Sequence, residues 1–304
     1  MKSPQGNLVR QMTSDDLGRV VKIARRAYDE DITDLPDVRG IEPWADPKQP
    51  AEPFADRITA HDLAAHILRT DPDLCLVVED EGKIRGASMA INREGTIVMA
   101  MTAVPPKHQG QGYATALAAY LRDLLDNHMR AMAVVRAQET INTVFPWNFD
   151  VHPAMRAEGL VDRAALPKLK FVREGTADDL ELAIAVDQRL RGASRGRDHE
   201  LLLAGSQLFV AEDGKKGRGY AYAHPDGSAM TVGATTTAIA RELLFACLAS
   251  GDPETRATVR NITGEQRWAF DVARQAGLRL TIAGPVAVRG MSLPNPYLPH
   301  DTLG

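Results

Sequence analysis

The chain has 304 residues, about twice the roughly 150-residue size of an ordinary domain, so two domains are expected and one large α/β barrel is the competing arrangement. Hydrophobic residues make up 44% of it, charged residues 25% and aromatics 5%, which excludes disordered and collagen-like chains and implies aliphatic cores of helices packed on a sheet. A formal net charge of −4 gives no field that would draw nucleic acid or an anionic membrane, so neither is an expected partner.

In chain order, apolar spacing predicts a strand over residues 7–12, helices over 14–28 and 59–69, strands over 74–79, 84–91 and 96–104, a long helix over 112–127 and a strand over 131–137. The segment 29–56, with five prolines, Trp44 and Phe54, fits neither period. It reads as an ordered loop or lid, or as a surface linker. The weakly polar stretch 96–106 is too short for a membrane helix and residues 1–10 hold no apolar signal region, so a cytoplasmic protein is expected. Cys75 and Cys247 stand alone in apolar runs and read as small buried hydrophobes; no metal site is expected.

The chain repeats itself. Val9-Arg10-Gln11-Met12-Thr13-Ser14-Asp15-Asp16-Leu17 returns 163 positions later as Val172-Arg173-Glu174-Gly175-Thr176-Ala177-Asp178-Asp179-Leu180. Each copy carries a short β-type run that stops at a Thr with Asp three residues on, a capping-box variant that opens a helix. The acidic turn at residues 78–83 is echoed 132 positions on, and Arg156-Ala157-Glu158-Gly159-Leu160 is echoed 118 positions on by Arg274-Gln275-Ala276-Gly277-Leu278. The expected organisation is therefore two copies of one α/β unit with a mixed sheet, residues 1–165 and 166–304, the second contracted.

The segment with chemical promise runs from the apolar strand 96–104 through Pro105-Pro106-Lys107-His108-Gln109-Gly110-Gln111-Gly112 into a helix beginning Tyr113-Ala114-Thr115-Ala116. Gly110 and Gly112 permit positive φ, so successive N–H groups can converge at a helix N-terminus and make an anion cradle. Gln109-x-x-Gly112-x-Ala114, after Val104-x-Pro106, resembles the pyrophosphate-binding motif of the GNAT superfamily of acyl-CoA-dependent N-acyltransferases, and the repeated element order resembles that fold in tandem.

That resemblance implies that Gly110, Gln111, Gly112, Tyr113, Ala114 and Thr115 hold the diphosphate of acetyl-CoA or another acyl-CoA, with Gln109 supporting the loop. It also implies that the backbone of Thr102, Ala103 and Val104 polarises the thioester. The family's last-helix pattern falls on Asn148, Val151, Met155 and Gly159-Leu160 in the first copy, which assigns Asn148 to the cofactor, and on Gln266, Ala269, Ala273 and Gly277-Leu278 in the second. Neither copy has the Tyr of that pattern. Between residues 229–232 and 238–249 no Gln/Arg-x-x-Gly-x-Gly/Ala can be drawn, so the second copy is degenerate.

Residues 138–152 follow the strand beside the presumed cofactor strand, where open α/β sheets form crevices. Glu139, Asp150 and His152 are the candidate bases there and Tyr113 the candidate acid; Phe145, Trp147 and Phe149 are pocket walls or interface core. The GxSxG spelling at residues 192–196 lacks a preceding strand and is not read as a nucleophile elbow. His61 and His66 read as solvated or capping residues, and the charge-rich 189–200 as a solvated loop. The expected function is transfer of an acetyl or other short acyl group to the amine of a small molecule or peptide, by a monomer or homodimer; an acyl-CoA sensor without turnover and an interaction scaffold are the alternatives.

Overall fold

The computed structural model describes residues 8–29, 58–126, 130–135 and 147–304. The first copy runs β1 (Leu8–Gln11), α1 (Leu17–Asp29), α2 (Ala60–Thr70), β2 (Cys75–Asp80), β3 (Lys83–Arg93), β4 (Thr96–Ala103), α3 (Tyr113–Asp126), β5 (Arg130–Val134) and β6 (Asp150–Leu160). The second runs β7 (Val172–Glu174), α4 (Leu180–Arg191), α5 (Asp198–Gly205), β8 (Gln207–Asp213), β9 (Gly217–Ala223), β10 (Ala229–Ala234), α6 (Thr237–Ser250), β11 (Arg256–Thr263), α7 (Arg267–Gln275) and β12 (Arg279–Arg289), then the two-residue β13 (Tyr297–Leu298). The fold is the expected mixed α/β arrangement in two related halves.

The repeated peptide builds the same corner twice. Arg10 donates from Nη1 to Asp16 Oδ2 at 2.7 Å, and Arg173 does the same to Asp179 at 2.9 Å. Each Asp also accepts the N–H of its Thr, Thr13 at 2.8 Å and Thr176 at 2.9 Å, so an ion pair and a helix cap share one carboxylate. The hydrogen bond from Arg10 outweighs burial and holds the Asp16 carboxyl down at about 2. A depressed folded pKa stabilises the native state above the ordinary carboxylate range, on the order of 2 kcal/mol here, and that stability is lost as pH falls toward 2. Urea melts taken down that range should show the decline, and Asp16→Asn should remove part of it; an unchanged pH slope in the variant would refute the assignment.

One sheet passes through both halves in the order β1-β2-β3-β4-β5-β12-β6-β11-β10-β9-β8-β7, with β13 added beside β10. Strands β4 and β5 are parallel, as are β10 and β11; the other pairs are antiparallel. The central strands are exchanged. Val286, Ala287 and Val288 of β12 pair with Val134, Ala133 and Met132 of β5, while Ala154 to Leu160 of β6 pair along β11. Each half thus completes its sheet with a strand from the other.

Two expectations are corrected here. Residues 150–160 are a strand, so Val151 and Met155 do not carry a last-helix pattern and Asn148 lies in a turn at φ 57° rather than on a helix. Pro153 disfavours a helix there, and the backbone is used instead in two antiparallel ladders. For the same reason the Arg156–Leu160 echo is not a structural equivalence, since Arg274 and Gln275 end α7.

Helix α1 faces the sheet with Val20, Ile23 and Ala27, and α3 with Ala116, Leu117 and Leu121, each at helical spacing. On one side of the sheet the core is continuous between the halves: Val20, Ile67, Val77 and Met89 join Val186, Leu202, Val210 and Tyr222 in one buried cluster. On the other side α3 covers Leu76 and Val78, while α6 and α7 cover the second half.

Candidate active site

The site starts from a defect in the sheet. Between β3 and β4 the register passes from Met89↔Met101 to Ala90↔Met99, which makes Ala100 an extra, bulged residue on β4. Strand β4 pairs with β5 from Thr96↔Arg130 to Met99↔Ala133 and no further. From the bulge to Ala103, β4 therefore diverges from β5 and leaves a wedge with backbone groups on its edge. Ser88 on β3 donates from its hydroxyl to the Met101 carbonyl at 3.2 Å, so that carbonyl faces β3. Backbone groups alternate along a strand, and Thr102 accordingly presents its N–H and C=O to the wedge.

At the open end of the wedge the chain turns through the glycine loop. Gln109 donates from Nε2 to the Val104 carbonyl at 3.0 Å and Gln111 to that of Lys107 at 3.2 Å, so two side chains fold the loop back on itself. Gly110 at φ 72° and Gly112 at φ 79° supply the left-handed turns. The first helical bond of α3 runs from Ala116 N–H to Gly112 C=O at 2.9 Å, which leaves the N–H groups of Tyr113, Ala114 and Thr115 as the donors at the helix start. Burial holds the His108 imidazole below its ordinary value, and the positive field of Arg85, Lys107 and Arg19 adds to this. Donors, helix dipole and cations together favour a multiply charged anion here.

In the second half the same wedge is filled. The bulge recurs at Met230, between Ala229↔Ala223 and Thr231↔Tyr222, and β10 meets β11 at Ala229↔Val259. Into the opening comes the chain's own β13, with Val232↔Leu298 and Gly233↔Tyr297 paired antiparallel. Ala234 N–H donates to the Pro296 carbonyl at 3.2 Å, Asn261 Nδ2 to Pro299 at 2.9 Å and Gln266 Nε2 to Pro294 at 2.8 Å. Helix α6 starts after a short turn without paired glycines, and the Thr236 hydroxyl accepts from Ile239 N–H.

Residues 29–160 match the Acetyltransferase (GNAT) family. These residues belong to the GNAT acetyltransferase family. Among curated proteins no sequence match is found. A candidate acetyltransferase of Pyrococcus horikoshii superposes with a TM-score of 0.70 at 17% identity, covering 96% of this chain and 92% of its own. A GCN5-related N-acetyltransferase from Sphaerobacter thermophilus gives 0.55 at 13%, covering 95% and 96%. A tandem GNAT protein from the clavulanic acid biosynthesis pathway gives 0.56 at 11%, covering 94% and 99%. At these identities the likeness establishes the fold, a tandem GNAT fold over nearly the whole chain.

Within the GNAT domain the loop residues Gln109 to Thr115 and the strand residues Thr102 to Val104 lie together along one edge, from the wedge to the start of α3. Tyr113 is held apart from it. Its ring is buried among Val9, Val78 and Leu117, and its hydroxyl donates to Asp80 Oδ2 at 2.9 Å. Burial, together with that carboxylate, raises its pKa, which opposes the role of acid. Glu139 lies outside the described residues. Asp150 is exposed opposite Val288, and His152 lies opposite Val286 with Nδ1 3.1 Å from Glu265 Oε1 of the second half. Strands β5 and β12 stand between these two and β4, a separation of roughly 14 Å by strand spacing.

The histidine and charge-run readings need correction. His66 is buried, with Nε2 2.8 Å from Asp198 Oδ1. Arg191, Arg195, Asp198 and His199 within 189–200 are also buried, Asp187 facing Arg191, Arg195 and His199 while Asp198 pairs with His66 and Arg93. Among the described residues no helix is long and apolar enough to cross a membrane.

Proposed function

We propose that the first half, residues 1–165, is an acyl-CoA-dependent N-acyltransferase, and that the second half, 166–304, is a degenerate copy that builds the sheet and binds no CoA. The observation that carries this is the contrast between the halves: a bulged wedge that no described strand fills, leading to a glycine loop, in one, and a wedge filled by β13 in the other. The diphosphate of acetyl-CoA, or of another short acyl-CoA, would lie on the N–H groups of Gly110 to Thr115, and its pantetheine arm along the free edge of β4.

A primary amine of a small molecule or peptide, once deprotonated, attacks the thioester carbonyl directly in the ternary complex. The C–N bond forms and the C–S bond breaks, the amine proton passes to a base or water, and the thiolate takes a proton as CoA leaves. Proximity in the complex would contribute several kcal/mol of barrier lowering, and the Thr102 N–H would stabilise the oxyanion. Asp150 and His152 are too far from β4 to be assigned as the base.

Calorimetry tests the proposal. The chain should bind CoA at one site. Gly112→Val, which places a β-branched residue at φ 79° in the space a diphosphate needs, should abolish binding with the fold intact. Two sites per chain, or unchanged affinity in the variant, would reject it.

A further inference from the structure

We propose that Tyr28 is a positioning residue for acyl transfer, holding the Thr102 peptide of β4 in register with the thioester; this rests on the acyltransferase reading above. Tyr28 stands at the end of α1 and donates from its phenol to the Thr102 carbonyl at 3.1 Å. That carbonyl is on the wedge edge, since the neighbouring Met101 carbonyl is turned to β3 by Ser88. The hydroxyl therefore reaches the stretch of β4 that, among the described residues, has no strand on its β5 side, two residues past the bulge. The ring is clamped in a small apolar cluster with Ile23, Ala27 and Ala103, so its hydroxyl is delivered to a fixed point. A polar group brought into such surroundings costs free energy unless it is hydrogen-bonded.

The internal repeat strengthens the assignment. The position 163 residues after Tyr28 is Arg191, at the end of α4. There the wedge is occupied, and the neighbouring Arg195 donates to Thr231 Oγ1 at 3.0 Å, beside the second bulge, and to the Leu303 carbonyl at 3.1 Å. Arg191 itself lies 3.7 Å from Asp187, so in the second half the donor to the bulged strand comes from Arg195, four residues beyond the helix end, rather than from the helix itself. In the second half Arg195 binds the chain's own tail, whereas in the first the phenol meets an edge that no described strand covers. Ser88 holds the peptide that carries the Thr102 N–H through the Met101 carbonyl, and Tyr28 holds the next peptide through the Thr102 carbonyl, so the two bonds together pin the backbone on both sides of the Thr102 Cα and with it the N–H that would polarise the acyl carbonyl.

The test uses the full chain, CoA and carbonyl-13C-labelled acetyl-CoA, comparing wild type with Tyr28→Phe, which keeps the ring packing. In the wild type the bound carbonyl band should move to lower frequency than in free acetyl-CoA. In Tyr28→Phe that shift should be largely lost and the slow hydrolysis of acetyl-CoA should fall about tenfold, while CoA affinity by calorimetry stays within about twofold. A variant that retains the full carbonyl shift and hydrolysis rate overturns the role of Tyr28 and leaves the acyltransferase reading standing. Loss of CoA affinity to the same extent as the shift would also overturn it, as the signature of general damage to the site. A wild type that binds neither CoA nor acetyl-CoA removes both proposals.

Discussion

Residues 1–165 expressed alone should fail to give a stable, monomeric fold. In that fragment β5 loses β12, its neighbour on one side, and β6 loses both of its partners, β12 and β11. Val286, Ala287 and Val288, all buried, would be missing from the core beside β5, and Ala154 and Ala157 would be left uncovered. Burial of each aliphatic side chain of that kind contributes roughly 1.5–3 kcal/mol, against a total stability of about 5–15 kcal/mol for a typical domain. Three unpaired strand edges would also remain, one on β5 and two on β6, and such edges template aggregation. Size-exclusion chromatography and a thermal melt of the fragment are the measurements. A monomer with a cooperative melt and wild-type affinity for CoA would show that β6 can turn back onto β5 by itself.

Much of this fold was legible in the sequence because its signals are local. The nine-residue repeat at Val9 and Val172 announced two related halves, and its Thr and Asp residues make the caps that the spacing implied. The glycine loop was equally legible, since positive φ at Gly110 and Gly112 leaves few other residue types possible. The strand exchange was not, because β6 and β12 take their faces from partners about a hundred or more positions away. A motif register laid over Asn148 to Leu160 had no means of detecting that. Tyr28 was passed over for a similar reason. It follows the apolar stripe of α1, and nothing near it in sequence points to Thr102, 74 positions on. The buried charges between residues 187 and 199 looked like a solvated run because their compensation is spatial: Asp187 and Asp198 meet arginines and histidines only after folding.

Asp198→Ala should be among the most destabilising single substitutions in the chain, at about 3–5 kcal/mol, because it removes the centre of a buried charge network joining the halves. The Asp198 carboxylate, fully buried on α5, accepts from His66 Nε2 at 2.8 Å and from Arg93 at 3.0 Å and 2.7 Å. Arg93 also donates to Asp71 at 2.8 Å, and Asp71 in turn accepts the Asn92 N–H at 2.8 Å. Arg69 donates to His66 Nδ1 at 3.2 Å, which requires the tautomer whose Nε2–H points to Asp198. Burial pushes the Asp198 carboxyl up, but His66 and Arg93 outweigh it and hold the pKa below the ordinary range. Its contribution is therefore present above the unfolded carboxylate value and is lost as pH falls through the lower folded one. Truncation leaves a largely buried guanidinium and an imidazole N–H facing a void, which is the costly case, whereas Asp198→Asn keeps one acceptor and should cost less. Urea unfolding of the three proteins at neutral pH gives the order, and the same titrations at acid pH should bring wild type toward Asp198→Ala. Since this network is separate from the glycine loop, folded Asp198→Ala should bind CoA as wild type does. A loss below about 1 kcal/mol would mean that water replaces the carboxylate without penalty, and the joining of the two halves would then rest mainly on their shared sheet and apolar core.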